Sequence, residues 1–276
     1  MFNIDLTDKT IIISGVSGNI GGEIAKMIKR CGGSVIGIDL ARPNNDITQY
    51  VDYFFTGNAS SESSVSDFYD EVAKSKYFEK LDAVVCCAGT KGQLHDAENL
   101  NALEFVDCIN SSVLSSALLI KYFTTEFKIR RKGNFILFSS TAGFKGISLQ
   151  PAYTAAKHAV NGLMKSYARE LGPFGIRINS ILPGLIISDM AKAINYELDS
   201  RKNKALGNLV DYKIPENSSD NIPLRRLGMP VDIANLVVFL LSPLSSYVHG
   251  AMINICLLYT SPSPRDRQNS RMPSSA

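Results

Sequence analysis

KTIIISGVSGNIGGEIAKMIKRC, residues 9–31, runs without a break from a β-branched segment through a glycine-rich turn into apolar residues at helical spacing. Residues 9–14 read as a strand buried on both faces, where polar alternation is not needed. Ile20, Ile24, Met27 and Ile28 fall on one face of a helix over 19–31. Between them SGVSGNIGG, residues 14–22, carries Gly15, Gly18, Gly21 and Gly22. The free N–H groups and partial positive charge of a helix N-terminus suit phosphate. Glycines keep side chains out of the way of a pyrophosphate. A tight β–α connection uses glycine too, so the turn alone leaves both uses open.

The next strand narrows the choice. SVIGID (34–39) reads as a second strand ending in Asp39, 24 residues after Gly15. A carboxylate there can accept hydrogen bonds from both hydroxyls of an adenosine ribose, and it would repel a 2′-phosphate. The turn holds no Lys or Arg to offset that charge, and Arg42 stands three residues past Asp39. The expected cofactor is therefore NAD in preference to NADP, with Gly15, Ser17, Asn19, Ile20, Gly21 and Asp39 among its binding residues.

The same rhythm continues along the chain. YFF (53–55) reads as a short strand, SVSDFYDEVAKS (64–75) as a helix and LDAVVCCAG (81–89) as a buried strand. One long helix lies within 103–131, and GNFILFSS (133–140) is a strand. AYTAAKHAVNGLMKSYARELG (152–172) is a helix closed by Gly172 and Pro173. IRINSIL (176–182) is a strand stopped by Pro183-Gly184. PVDIANLVVFLLS (230–242) is a helix opened by Pro, and GAMINI (250–255) starts a last strand. Strands alternating with helices over short connections predict an α/β fold, a doubly wound parallel sheet with helices on both faces, as one domain over 1–255. Residues 185–222 interrupt the pattern. They are polar, with Met190, Ile194, Tyr196, Leu206 and Leu209 scattered through them. They read either as a lid or as a solvated surface excursion.

Composition excludes several classes. The 276 residues are 45% hydrophobic and 20% charged, with a net charge of +3, most of it in residues 256–276. No basic face for nucleic acid or an anionic membrane is left. No apolar stretch approaches the roughly 20 residues of a bilayer span. MFNIDLTDKT has acids where a signal peptide has cations, so none is expected. Cys31, Cys86, Cys87, Cys108 and Cys256 form no CxxC and no Cys/His cluster, so no metal site is expected. Cys86 and Cys87 read as small apolar residues of a buried strand. A reducing, cytoplasmic setting fits them. His95, His158 and His249 stand apart and read as structural.

SSTAGFKGISLQPAYTAAK, residues 139–157, puts Ser140 where a strand ends and Tyr153 and Lys157 four apart on the next helix. Moving a hydride between a carbinol carbon and nicotinamide requires a proton to move at the oxygen. Tyrosine, near its ordinary pKa of about 10, is a poor base at neutral pH. A neighbouring ammonium stabilises the phenolate. Lowering the phenol by about three pH units takes about 4 kcal/mol, which Lys157 and the positive ring of oxidised nicotinamide together can supply in a dry site.

These residues together resemble a known family, the short-chain dehydrogenases/reductases, over about residues 5–255. SGVSGNIG resembles the family's TGxxxGxG turn, CCAG (86–89) stands where NNAG is usual, and RINSILPG resembles the RVNxVxPG stretch. PLRRLGMPVDIANLVVFLLSPLSSYVHG is similar to the family's C-terminal helix and approach to the last strand. The resemblance implies Asn110, Ser140, Tyr153 and Lys157 as a catalytic tetrad. Tyr153 would be the acid/base, and Ser140 would hold the substrate oxygen. Lys157 would also hold the ribose hydroxyls, and Asn110 would position a water that links Lys157 to solvent. It adds Asn58, Ala88, Gly89, Pro183, Gly184, Ile186 and Ser188 to the cofactor contacts, Asn58 near the adenine and Ser188 near the nicotinamide amide. Asn19 replaces the middle glycine of the turn, where its tolerance of left-handed backbone lets the turn survive. Gly162, Ala168 and the small residues 111–117 let helices pack closely, and the resemblance implies a homodimer or homotetramer.

Three activities stay open at this level. The first expectation is an NAD-dependent oxidoreductase interconverting a secondary alcohol and a ketone. A 3-oxoacyl-acyl-carrier-protein reductase using NADPH shares the general pattern, and a non-catalytic dinucleotide sensor would keep the fold alone. The end of the chain departs from the family: CLLYTSPSPRDRQNSRMPSSA (256–276) closely resembles the in-frame translation of a DNA-sequencing adapter. That segment is expected to be non-native or disordered.

Overall fold

The computed structural model describes residues 4–202 and 224–256. Seven strands form one sheet: β1 (Thr10–Ser14), β2 (Ser34–Asp39), β3 (Tyr53–Thr56), β4 (Leu81–Cys86), β5 (Gly133–Phe138), β6 (Ile176–Pro183) and β7 (Met252–Ile255). Their order is β3-β2-β1-β4-β5-β6-β7, and every pair is parallel. The order reverses between β1 and β4, which opens a crevice at the strand C-termini, where such sheets bind ligands.

The unbroken apolar strands are explained by the two covered faces. Side chains alternate along a strand, so Ile11 and Ile13 enter one core and Ile12 the other. Ala83 and Val85 of β4 join the first, Val84 and Cys86 the second. The first core is closed by α1 (Asn19–Arg30) and α8 (Pro230–Leu241), through Ile24, Ile28, Ile233 and Val237. The second is closed by α3 (Glu62–Lys74), α5 (Ser115–Arg130) and α6 (Pro151–Leu171), through Phe68, Phe123, Phe127 and Met164. A short α2 (Asn45–Thr48), capped by Asn44, sits between β2 and β3, and Ile47 from it packs against Gly22.

Several expectations need correction. The helix expected within 103–131 runs over Ala102–Arg130, with a π-helical turn, Asn110–Leu114, between α4 (Ala102–Ile109) and α5. The continuous 29-residue run Ala102–Arg130 is also long and apolar enough to cross a membrane by length and composition, contrary to the reading of the sequence. Its α5 half instead buries Leu118, Leu119, Ile120, Phe123 and Phe127 in the core. The strand holding the two cysteines ends at Cys86, so Cys87 lies beyond it, half-exposed, in the wall of the crevice. His95 does not stand apart; its Nε2 lies 2.6 Å from Glu104 Oε2. The interruption at 185–222 contains α7 (Asp189–Lys202). Leu206 and Leu209 lie outside the described residues, as does the 257–276 tail.

Candidate active site

A cleft of about 1760 Å³ lies over the C-terminal ends of β1, β2, β4, β5 and β6. All seventeen residues expected at the site line it: the tetrad, the glycine turn with Asp39, Asn58, Ala88-Gly89 and the 183–188 segment. The chemistry of each depends on what holds it.

Gly15 adopts φ +73°, in the left-handed region, and a Cβ there would stand 2.9 Å from the Ala88 backbone nitrogen. A Cβ on Gly21 would come within 2.1 Å of the Gly15 carbonyl oxygen. The turn is thus closed on itself and against the end of β4, and Ser17, Gly18, Asn19, Ile20 and Gly21 line the cleft. Asn19 needs no left-handed backbone, which corrects the sequence argument: it is the first residue of α1, behind the Gly18 cap. Its Oδ1 instead accepts from the Asp189 N–H, 2.9 Å away.

The Asp39 carboxylate is fixed by the same turn. Ser17 N–H donates to its Oδ2 at 2.9 Å and Leu40 N–H to its Oδ1 at 2.7 Å. Ser17 Oγ donates to the Ala41 carbonyl at 2.6 Å. Arg42 turns away: its guanidinium lies over the Phe54 ring, 5.6 Å from the centroid. Asn58 Oδ1 accepts from both N–H and Oγ of Ser60, leaving the amide nitrogen as the donor for a ligand.

Ser140 follows β5 and caps the turn Thr141–Gly143, accepting from Ala142 N–H at 3.1 Å. Tyr153 and Lys157 come one helical turn apart on α6. Lys157 is 5% exposed, its ammonium donates to the Phe138 carbonyl at 2.9 Å, and it stands 5.4 Å from the Tyr153 ring centroid. Buried polar residues clamp this helix in place. Ser139 Oγ donates to the Lys157 carbonyl, Asn161 Nδ2 to the Gly143 carbonyl, and Ser180 Oγ to Asn161 Oδ1. The sequence reading missed these three. The available signal was Asn161, a polar residue one turn after Lys157 on the buried face of the helix.

Burial sets the electrostatics of this pair. Burial pushes the Tyr153 phenol above its ordinary value, the Ser140 hydroxyl draws it down, and Cys108 pushes it further up. Burial lowers Lys157 to about 8, opposed by Cys87 and Cys108. Burial also raises the Cys87 thiol to about 12, against the pull of Lys157. Burial thus opposes the lowering of the Tyr153 phenol that the sequence argument assigns jointly to Lys157 and the positive nicotinamide ring.

Asn110 opens the π-helical turn and faces the cleft beside Ser111 and Thr90. Past β6, the Ile186 backbone pairs with Gly228, and Ser188 Oγ donates to the Ile186 carbonyl while accepting from Ala191 N–H at the start of α7. Glu197 on α7 reaches the loop after β4: Lys91 Nζ lies 2.6 Å from Oε2, and Leu94 N–H donates to Oε1 at 2.9 Å. A partly buried ion pair with a backbone hydrogen bond is worth about 1–2 kcal/mol. Glu197→Ala is therefore expected to speed amide exchange over residues 190–197 about tenfold, with the sheet unchanged; hydrogen exchange checks it.

Known proteins resemble this chain along most of its length. A family model described as Enoyl-(Acyl carrier protein) reductase matches residues 15–256. A 3-oxoacyl-acyl-carrier-protein reductase of Rickettsia bellii (strain RML369-C) is 32% identical over 258 residues, covering 91% of this chain and 97% of that one. An acetoacetyl-CoA reductase of Synechocystis sp. (strain ATCC 27184 / PCC 6803 / Kazusa) is 30% identical over 262 residues, covering 92% and 98%. The crystal structure of levodione reductase superposes with a TM-score of 0.80 at 25% identity, covering 91% of this chain and 96% of that one.

Proposed function

The chain belongs to the short-chain dehydrogenase/reductase family of nicotinamide-dependent oxidoreductases, and from that premise we propose that it interconverts a secondary alcohol and a ketone with NAD. The observation that carries the reading is one cleft lined by both Asp39 and the set Ser140, Tyr153 and Lys157. The residues fit a dinucleotide: the turn is closed so tightly that a Cβ at Gly15 or Gly21 would strike backbone, and Asp39 is held rigidly beside it.

Bound nicotinamide supplies the hydride acceptor or donor. The chain supplies the rest. Tyr153 moves the proton at the substrate oxygen, and Ser140 hydrogen-bonds that oxygen. Lys157, anchored at Phe138, gives its remaining N–H groups to the ribose side and to the proton path that Asn110 holds. Asn58 faces the adenine. Pro183, Gly184, Ile186 and Ser188 wall the nicotinamide end, and Gly15, Ser17, Asn19, Ile20 and Gly21 with Ala88 and Gly89 frame the phosphates and the second ribose. The fixed Asp39 and the averted Arg42 support NAD over NADP.

Calorimetry on the full chain tests the cofactor choice. NAD is expected to bind at least about tenfold more tightly than NADP, and Asp39→Ala to erase that preference. NADP binding as tightly as NAD would overturn it in favour of a second reading, NADPH-dependent reduction of a 3-oxoacyl thioester, which the names of the two relatives favour. We also propose that residues 1–255 form the catalytic unit with 185–222 as its lid, that the enzyme works in the cytoplasm, and that it is a homodimer or homotetramer. Exposed Leu103 and Val106 on α4 support an apolar contact between copies.

A further inference from the structure

We propose that the Ser112 hydroxyl is a positioning group for the proposed active-site lysine, accepting a hydrogen bond from the Lys157 ammonium directly or through one water. The inference rests on the role proposed for Lys157 and adds a residue to it.

Ser112 is 1% exposed, and its Oγ has no hydrogen-bond partner among the described residues. Leaving a buried hydroxyl unpaired costs about as much as a lost hydrogen bond, so native folds rarely do it without a use for the group. Its neighbours make the exception sharper. Ser111, Ser115 and Ser116 each donate to a backbone carbonyl of their own helical run: those of Cys108, Ser111 and Ser112, at 3.0, 2.7 and 2.8 Å. Of the four, Ser112 alone is left over, and it sits in the π-helical turn Asn110–Leu114, a rare geometry that clusters at functional sites.

The leftover hydroxyl adjoins the lysine. A Cβ built on Gly89 would stand 3.0 Å from Ser112 Oγ and 3.4 Å from Lys157 Nζ, so both atoms border the same small space beside the Gly89 backbone. An ammonium has three donors. One is spent on the Phe138 carbonyl. The ribose side takes a second in the proposed complex, and on the proton path that Asn110 holds the third meets Ser112 Oγ, directly or through the water of that path. The other titratable groups acting on Lys157 are the thiols of Cys87 and Cys108, which at neutral pH are neutral and poor acceptors. Holding the ammonium from two protein sides would keep it charged and aimed while the proton moves through Tyr153. The absence of a side chain at Gly89 is what keeps this space open.

The test reads the lysine itself and needs no substrate. The full chain is labelled with 15N-lysine, the Lys157 signal is assigned with Lys157→Arg, and its ammonium is titrated by NMR in wild type, Ser112→Ala and Ser112→Thr. Loss of an acceptor disfavours the charged form, so Ser112→Ala is expected to titrate about one pH unit lower than wild type, and Ser112→Thr to restore the wild-type value. A Ser112→Ala titration that overlays wild type, or a Thr variant that fails to restore it, would overturn the inference. NAD affinity measured on the same samples separates the two claims. Failure of wild type to bind NAD defeats the functional reading, whereas the titration decides Ser112.

Discussion

Tyr153→Phe is expected to lower turnover about 10³-fold while leaving NAD affinity within about twofold. The ring stays, so the packing of α6 stays. Only the hydroxyl that moves the proton is lost, and general acid–base catalysis supplies about 10²–10⁴ of an enzyme's rate. The pH dependence comes from the shifts in the free site. Burial holds the Tyr153 phenol neutral through the neutral range, and Lys157 titrates near 8. Alcohol oxidation needs the phenolate, so its rate in wild type should climb as pH rises. Ketone reduction needs the phenol, so it should be flat through neutrality and fall at alkaline pH. Tyr153→Phe should abolish both slopes. Steady-state rates in each direction on a panel of secondary alcohols and ketones check this. A Phe variant with wild-type turnover would remove Tyr153 from the chemistry.

The sheet was legible because its strands carry their own argument. Five-residue runs such as Thr10–Ser14, with no polar alternation, have no place except between two layers of helices, and the two separate cores confirm why. The placement of Asp39 and of the glycine turn was readable for the same reason: it depends on backbone position and spacing. What the sequence hid depends on long-range contacts. The π-helical turn at 110–114 has no local composition signal, because apolar spacing continues through Val113 and Leu114 into α5. Cys87 looked like strand because its neighbours are, yet the strand stops one residue earlier, where Ser14 Oγ accepts from Ala88 N–H. The strength of burial at Tyr153 has a similar origin: both groups are buried together, so desolvation raises the phenol and lowers the lysine, and the nicotinamide cation of the sequence argument is left to supply the lowering.

The second large effect is expected at Gly21. Gly21→Ala should weaken NAD binding about 100-fold or more and lower the Tm by about 6–12 °C. A methyl group there would sit 2.1 Å from the Gly15 carbonyl oxygen and 2.9 Å from Val16 Cα. Both are backbone, so no side chain can swing aside, and either α1 must lift or the turn must open. Overpacking of this kind costs about 3 kcal/mol, which gives the stated fall in Tm for a chain of this size. Binding suffers more than stability, since the first N–H groups of α1 must keep their aim at the phosphates within a fraction of an ångström. Gly18→Ala supplies the contrast. Its Cβ would meet only the Gly15 carbonyl oxygen, at 3.5 Å, an ordinary contact, and Gly18 φ is −77°, so the fold should hold. Gly18 nonetheless lines the cleft, and an added methyl there should weaken NAD while Tm falls by no more than about 3 °C. Thermal melts and calorimetry on the two variants separate closure of the turn from access to it. Wild-type affinity in Gly21→Ala would mean that the turn does not cradle the pyrophosphate, and with that the dinucleotide reading of residues 14–22 would fall.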